Sequence, residues 1–144
     1  MVIKLICVLV SSVCFGVVFQ IRGKKLLFST ISGGISYVVY LAFLGHSSVL
    51  ASFLASCAIT LYAETMARRV KSPATVFLVA GLIPIVPGQG IYRCMFEALE
   101  GRLSVAAITC YHTLLEAGAI AIGVVTVSSL VKITAGARRL RQKP

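Results

Sequence analysis

The sequence predicts an all-α, polytopic integral membrane protein that forms one transmembrane domain over residues 1–144. Three observations carry that prediction. Of its residues 58% are hydrophobic and only 12% are charged, about half of the roughly 25% charged content of a soluble domain. The apolar residues gather in runs near the roughly 20 residues that cross a bilayer as a helix. The basic residues, which set the formal net charge at +10, stand between those runs. In a soluble chain such a charge would suggest nucleic acid. Between apolar runs it indicates loops beside anionic lipid, so membrane lipid is the expected partner and nucleic acid is not.

About five transmembrane helices are expected. The first covers residues 2–20 and precedes a basic "IRGKK". One basic residue ahead of it, and no small-x-small site before a polar mature chain, favour a retained helix over a cleaved signal peptide. The second covers 26–45, and the third 48–66, followed by "ARRVKSP". The fourth, 74–100, is discontinuous, and the fifth covers 104–131 ahead of the basic "RRLRQK". With the N-terminus outside, Arg22, Lys24, Lys25, Arg68, Arg69, Lys71, Lys132, Arg138, Arg139, Arg141 and Lys143 fall on the inner side. Only Lys4, Arg93 and Arg102 fall outside, which accounts for all 14 basic residues. That bias predicts an inner (plasma) membrane protein with its C-terminus in the cytoplasm.

The fourth span is the one that breaks its own pattern. Residues 74–86 give only about 20 Å of helix, short of the roughly 30 Å hydrocarbon core. Pro84 and Pro87 then remove backbone donors, and Gly88 and Gly90 loosen the backbone, so the helix is expected to break between Pro84 and Gly90. In lipid such a break persists only where protein or a watery cavity covers it. Two readings are open: a discontinuous helix that builds a substrate site, and a proline kink covered by its neighbours. Beyond the break, Arg93 and Glu97 stand four apart on an amphipathic segment and are placed to pair.

Polar residues inside the other spans form a second set of candidates. Glu116 lies near the middle of the fifth span, where an acidic group costs about 2.5–3.5 kcal/mol on insertion scales. His112 precedes it by four residues, with Thr109 and Thr113 on the same face. Carboxyl and imidazole groups are the chemistry of membrane proton relays. The alternative is a Glu–His hydrogen bond with a purely structural role. In the third span Ser52, Ser56, Thr60 and Glu64 form an i+4 row, and the second carries Ser29, Gly33, Ser36, Tyr37 and Tyr40. Such stripes pack helices more often than they bind ligands. Glu64 has Arg68 four residues on, so a surface ion pair competes with a role in proton coupling.

Several classes are excluded. The five cysteines, Cys7, Cys14, Cys57, Cys94 and Cys110, show no metal or disulfide spacing and read as apolar filler. No metal or cofactor is expected. There is no aspartate, no nucleophile–base constellation and no phosphate-binding loop, which argues against an enzyme and against ATP-driven transport.

Two runs carry a family resemblance. Glu-x-x-Ala-Arg-Arg-x-Lys-x-Pro runs from Glu64 to Pro73, and Pro-x-x-Pro-Gly-x-x-x-Tyr from Pro84 to Tyr92. Together they resemble the signature region of the threonine/serine exporter family, with specific matches over residues 64–101. The chain is similar to the small membrane subunit of the split, two-gene type. The resemblance implies secondary export of threonine, serine or a related small amino acid, coupled to protons, with a larger partner subunit. A dicarboxylate exporter subunit, a non-transporting assembly subunit and a channel-like pore are the alternatives. The substrate site is then expected at Pro84, Pro87, Gly88, Gly90, Tyr92 and Arg93. Proton coupling is expected at Glu116, His112 and Glu64.

Overall fold

The computed structural model describes residues 2–21 and 23–141. Of the charges counted above, Arg22 and Lys143 lie outside the described residues, as do the side chains of Arg138, Arg139 and Arg141. The described chain is helical throughout: α1 (Val2–Val18), α2 (Lys24–Phe43), α3 (Ser48–Val70), α4 (Thr75–Leu82), a 3-10 turn (Ile83–Ile85), α5 (Gly88–Leu99) and α6 (Leu103–Arg141).

Three helices are long and apolar enough to cross a membrane: α2, α3 and α6 as far as Thr134. The pair formed by residues 75–85 and 88–99 makes a fourth span if taken together, bent by 46° at its break. The 17 residues of α1 sit at the short limit for crossing. Three to four span candidates, with the shorter apolar α1 beside them, are roughly consistent with the expected outline of about five spans, and the bend falls in the span expected to break. This is a multi-pass membrane protein.

Its centre is α3, which packs against α2, α4 and α6. One face of α3 presents Ala51, Ala55, Ile59 and Ala63, and beside it run Ser52, Ser56 and Thr60, all buried. Helices in lipid gain little from burying apolar surface, so close approach of small residues and interhelical hydrogen bonds carry much of the packing. Both occur here. The Ser32 hydroxyl on α2 donates to the Phe77 carbonyl of α4 at 2.8 Å, and Tyr62 on α3 donates to the Phe28 carbonyl of α2 at 3.1 Å. Ser56 and Thr60 instead donate back to carbonyls of their own helix, at Phe53 and Ser56. The hydroxyl stripes of α2 and α3 thus lie inside the bundle. Ala55, Ile59, Ile85 and Ile120 close its apolar core, with Tyr40 packed on the edge.

Local chemistry explains the ends of the broken span. Pro84 has no N–H to offer the Ala80 carbonyl, and the chain tightens into the 3-10 turn. Val86 is extended at φ −60°, ψ 130°, and the helix stops. Pro87 (φ −77°, ψ 53°) forms an inverse γ-turn, in which the Gly88 N–H bonds the Val86 carbonyl at 2.7 Å. Helix α5 begins at once. It ends in a Schellman turn at Gly101 (φ 77°), whose N–H bonds the Ala98 carbonyl while the Arg102 N–H bonds the Glu97 carbonyl.

That turn settles one side-chain pairing against expectation. Arg102, carried back over the end of α5, pairs with Glu97 at 2.7 Å and also contacts Glu100. Glu97 therefore pairs with Arg102 rather than with Arg93, the i+4 neighbour on its own helix. A reversal of the chain outreaches a helical neighbour here, and Arg93 is left to face elsewhere.

Candidate functional site

Four parts of the chain enclose one cavity of about 460 Å³. The break contributes Pro84, Ile85, Val86 and Pro87; α5 contributes Gln89, Gly90 and Arg93; α6 contributes Thr109, His112, Thr113 and Glu116; and α2 contributes Tyr40. The volume is that of a small-molecule pocket. Its charged lining is one guanidinium and one carboxylate, with an imidazole beside them.

Sequence periodicity accounts for the α6 wall. Thr109, His112, Thr113 and Glu116 follow i, i+3, i+4 and i+7, which places them on one face of a helix. Glu116 stands about 20 Å along α6 from its start, well inside the apolar span. It is half-buried, and His112 is exposed, its ring edge-on to Tyr111 with centroids 5.8 Å apart. Among the described residues no hydrogen bond joins His112 to Glu116. Thr113 spends its hydroxyl on the Thr109 carbonyl at 2.7 Å. The structural Glu–His bond considered above is thus absent from the hydrogen bonds of α6.

The opposite wall is the restarted helix. An α-helix begins with N–H groups that have no intrahelical acceptor. Gly88 and Ile91 bond Val86 and Pro87 respectively, at 2.7 and 3.2 Å. The N–H groups of Gln89 and Gly90, both lining residues, lie between them at the positive end of the helix dipole. Gly90 also sets how closely α5 approaches α6, because a Cβ there would collide with the Thr113 side chain. Gly88 does neither: a Cβ there meets open space, and its φ is not positive.

The candidates from the sequence are therefore only partly assembled. Pro84, Pro87, Gly90, Arg93, His112 and Glu116 line the same cavity. Gly88 and Tyr92 are not among its lining residues; Tyr92 is exposed and stacks on Phe96 at 6.1 Å between ring centroids. Glu64 lies in a different cavity with Arg68 and Arg69, separated from Glu116 by the length of α6 that reaches Val131. Sequence reasoning passed over Tyr40 and Gln89. Tyr40 ends the small-residue stripe of α2 and reads as packing until the tertiary fold swings it against the break. The signal for Gln89 was an amide set between two glycines at the start of a helix.

A broken span whose helix ends face a polar cavity is an arrangement that secondary transporters of the membrane use. Residues 4–130 match the family profile described as "Threonine/Serine exporter, ThrE". The chain belongs to the threonine/serine exporter family. It is 29% identical over 116 residues to a threonine/serine exporter of Corynebacterium glutamicum, a stretch covering 81% of this chain and 22% of that protein. It is 27% identical over 93 residues to an uncharacterised protein of Haemophilus influenzae, covering 63% of this chain and 31% of that one. The chain thus spans about a fifth to a third of the length of these relatives. No solved structure matches it.

Proposed function

We propose that this chain is a membrane subunit of a proton-coupled exporter of small amino acids such as threonine or serine, and that the cavity at the break is its substrate path. The observation that carries the reading is the pairing of one cation with one carboxylate across a single polar cavity. A zwitterion needs both. Its carboxylate would meet Arg93 and the free N–H groups of Gln89 and Gly90, and its ammonium group would meet Glu116. Side-chain hydroxyls of the substrate would find Tyr40, Gln89 and Thr109. The C. glutamicum relative, named as a threonine/serine exporter, supports the substrate class.

Coupling follows from competition at one site. A protonated Glu116 holds an ammonium group poorly, so substrate and proton exclude each other there. That exclusion is the requirement for exchanging one against the other. His112, exposed on the same wall, would hand protons to and from Glu116. Glu64, in its own cavity, is not needed for this step.

A larger partner subunit would supply the rest of the transport machinery, since the C. glutamicum relative extends well beyond the matched region. The proposed setting is the plasma membrane, and the charge bias supports an N-terminus outside and a C-terminus inside. A second reading, dicarboxylate export, gains from His112, which when protonated adds another cation to the cavity. The deciding experiment is efflux of a panel of amino acids and dicarboxylates from cells carrying both subunits. Export of serine or threonine, and not of succinate, is expected. Succinate export alone would replace the zwitterion reading with the dicarboxylate one.

A further inference from the structure

A second charged cavity, unconnected with the proposed substrate path, opens where the last turn of α3 faces residues 131–134 of α6. It measures about 560 Å³, and among the described residues its polar lining is Glu64, Arg68, Arg69 and two threonines. A further cavity of about 460 Å³ shares Leu61, Val131 and Thr134 with it and runs back between the same two helices past Ala58 and Val127. The first chamber is charged, and the second is lined almost wholly by apolar side chains. The two cavities share a wall between α3 and α6, so together they offer a groove with a charged head beside an apolar tail.

The charges in the head favour an anion. Two guanidinium groups face one carboxylate, and among the described residues neither arginine is ion-paired to Glu64. Arg68 reaches across the groove instead, donating through Nη2 to the Val131 carbonyl at 3.3 Å, and so spans α3 to α6 at the head of the groove. The planar guanidinium fork matches a phosphate bidentately. The Glu64 carboxylate, half-buried beside them, is an acceptor for hydroxyl groups. A small inorganic anion or a free substrate would leave the apolar half of the groove unfilled.

We propose that this groove binds an anionic glycerophospholipid with a hydroxylated head group, of the phosphatidylglycerol type. Its phosphate sits on Arg68 and Arg69, its head-group hydroxyls on Glu64 and Thr134, and one acyl chain along Ala58, Leu61 and Val127. Bound there, the lipid ties the end of α3 to α6.

Native mass spectrometry of the purified full chain tests this, with phosphatidylglycerol, phosphatidylcholine of the same acyl chains, and glycerol phosphate as separate probes. Wild-type protein is expected to retain phosphatidylglycerol in preference to phosphatidylcholine and to bind glycerol phosphate far more weakly. Arg68→Ala with Arg69→Ala should weaken phosphatidylglycerol retention roughly 30-fold, the equivalent of about 1 kcal/mol per arginine near an anionic surface. Ala58→Phe, which fills the apolar half, should weaken it while leaving the arginines in place. Lys24→Ala with Lys25→Ala removes the same charge elsewhere and should change little. Equal retention of the two lipids, or an equal loss in the lysine variant, overturns the proposal. Glycerol phosphate binding as tightly as the lipid would reduce the groove to a phosphate site and also overturn it. The wild-type probes decide the matter even where a variant fails to insert.

Discussion

In the proposed scheme Arg93 and Glu116 set the chemistry at the residue scale, because each brings a charged group to the wall of the cavity at the break, Arg93 from an exposed position on α5 and Glu116 from a half-buried one on α6. Among the described residues Arg93 has no ion pair, because Arg102 takes Glu97. Replacing Arg93 by Gln keeps donors but removes the charge, and a hydrogen bond to a charged group is worth about 1.5–3 kcal/mol. Export by Arg93→Gln should therefore show KM raised about tenfold or more at normal protein level, as measured by initial efflux rates over a range of internal substrate. His112→Ala should move the pH optimum of export more than it lowers the maximum rate, since in the proposed scheme the imidazole tunes proton exchange at Glu116 without holding substrate. Gly90 and Gly88 make a paired test of packing. Leu at position 90 must displace Thr113, an overpacking cost of about 1–3 kcal/mol that falls on the cavity wall. A Cβ at position 88 has nothing within 4 Å, so Leu has room to leave the backbone there. Gly90→Leu should abolish export, Gly88→Leu should retain it, and Thr113→Ala should restore part of what Gly90→Ala loses.

At the element scale, the broken span is held by its neighbours more than by itself. Helix α4 has only eight residues, too short to be stable alone. It is fixed through the Ser32–Phe77 bond and through burial of Phe77 and Ala80. Interhelical hydrogen bonds of this kind average about 0.6 kcal/mol and reach about 1.7. Ser32→Ala should destabilise the purified protein by that order, read as a lower thermal unfolding midpoint in detergent, with α4 losing amide-exchange protection before α3. The place of the break was legible in the sequence, because proline removes a donor wherever the chain goes. Where the helix resumes was not. Two glycines at 88 and 90 suggest further unwinding, yet both fit the first turn of α5, where N–H groups need no intrahelical partner. The α6 wall was legible because its four residues share one helix and one period. Tyr40 and the Glu97–Arg102 pair were not, because each depends on a chain reversal or a packing partner that local spacing does not encode.

At the scale of the whole molecule, two separate cavities each hold a small cluster of charged or titratable residues. The cavity at the break holds Arg93, His112 and Glu116, and the groove at the end of α3 holds Glu64, Arg68 and Arg69. The sequence had grouped Glu64 with Glu116, since both are acids in or beside apolar spans; the fold sets them in separate chambers. A cysteine introduced after Arg141 in a cysteine-free background should resist an impermeant thiol reagent added from outside and react after permeabilisation. Labelling from outside in intact cells would reverse the proposed topology.

The central claim is that Glu116 alternates between proton and substrate in the cavity at the break. Its most direct test is substrate movement by Glu116→Gln in vesicles, compared with and without a pH gradient. Gln keeps the shape and hydrogen-bonding capacity of the side chain but cannot ionise. Uphill, gradient-driven transport is expected to disappear at normal membrane levels, while exchange of substrate across the membrane persists at reduced affinity. Full gradient-driven transport by Glu116→Gln would contradict it, and would take Glu116 out of the coupling step.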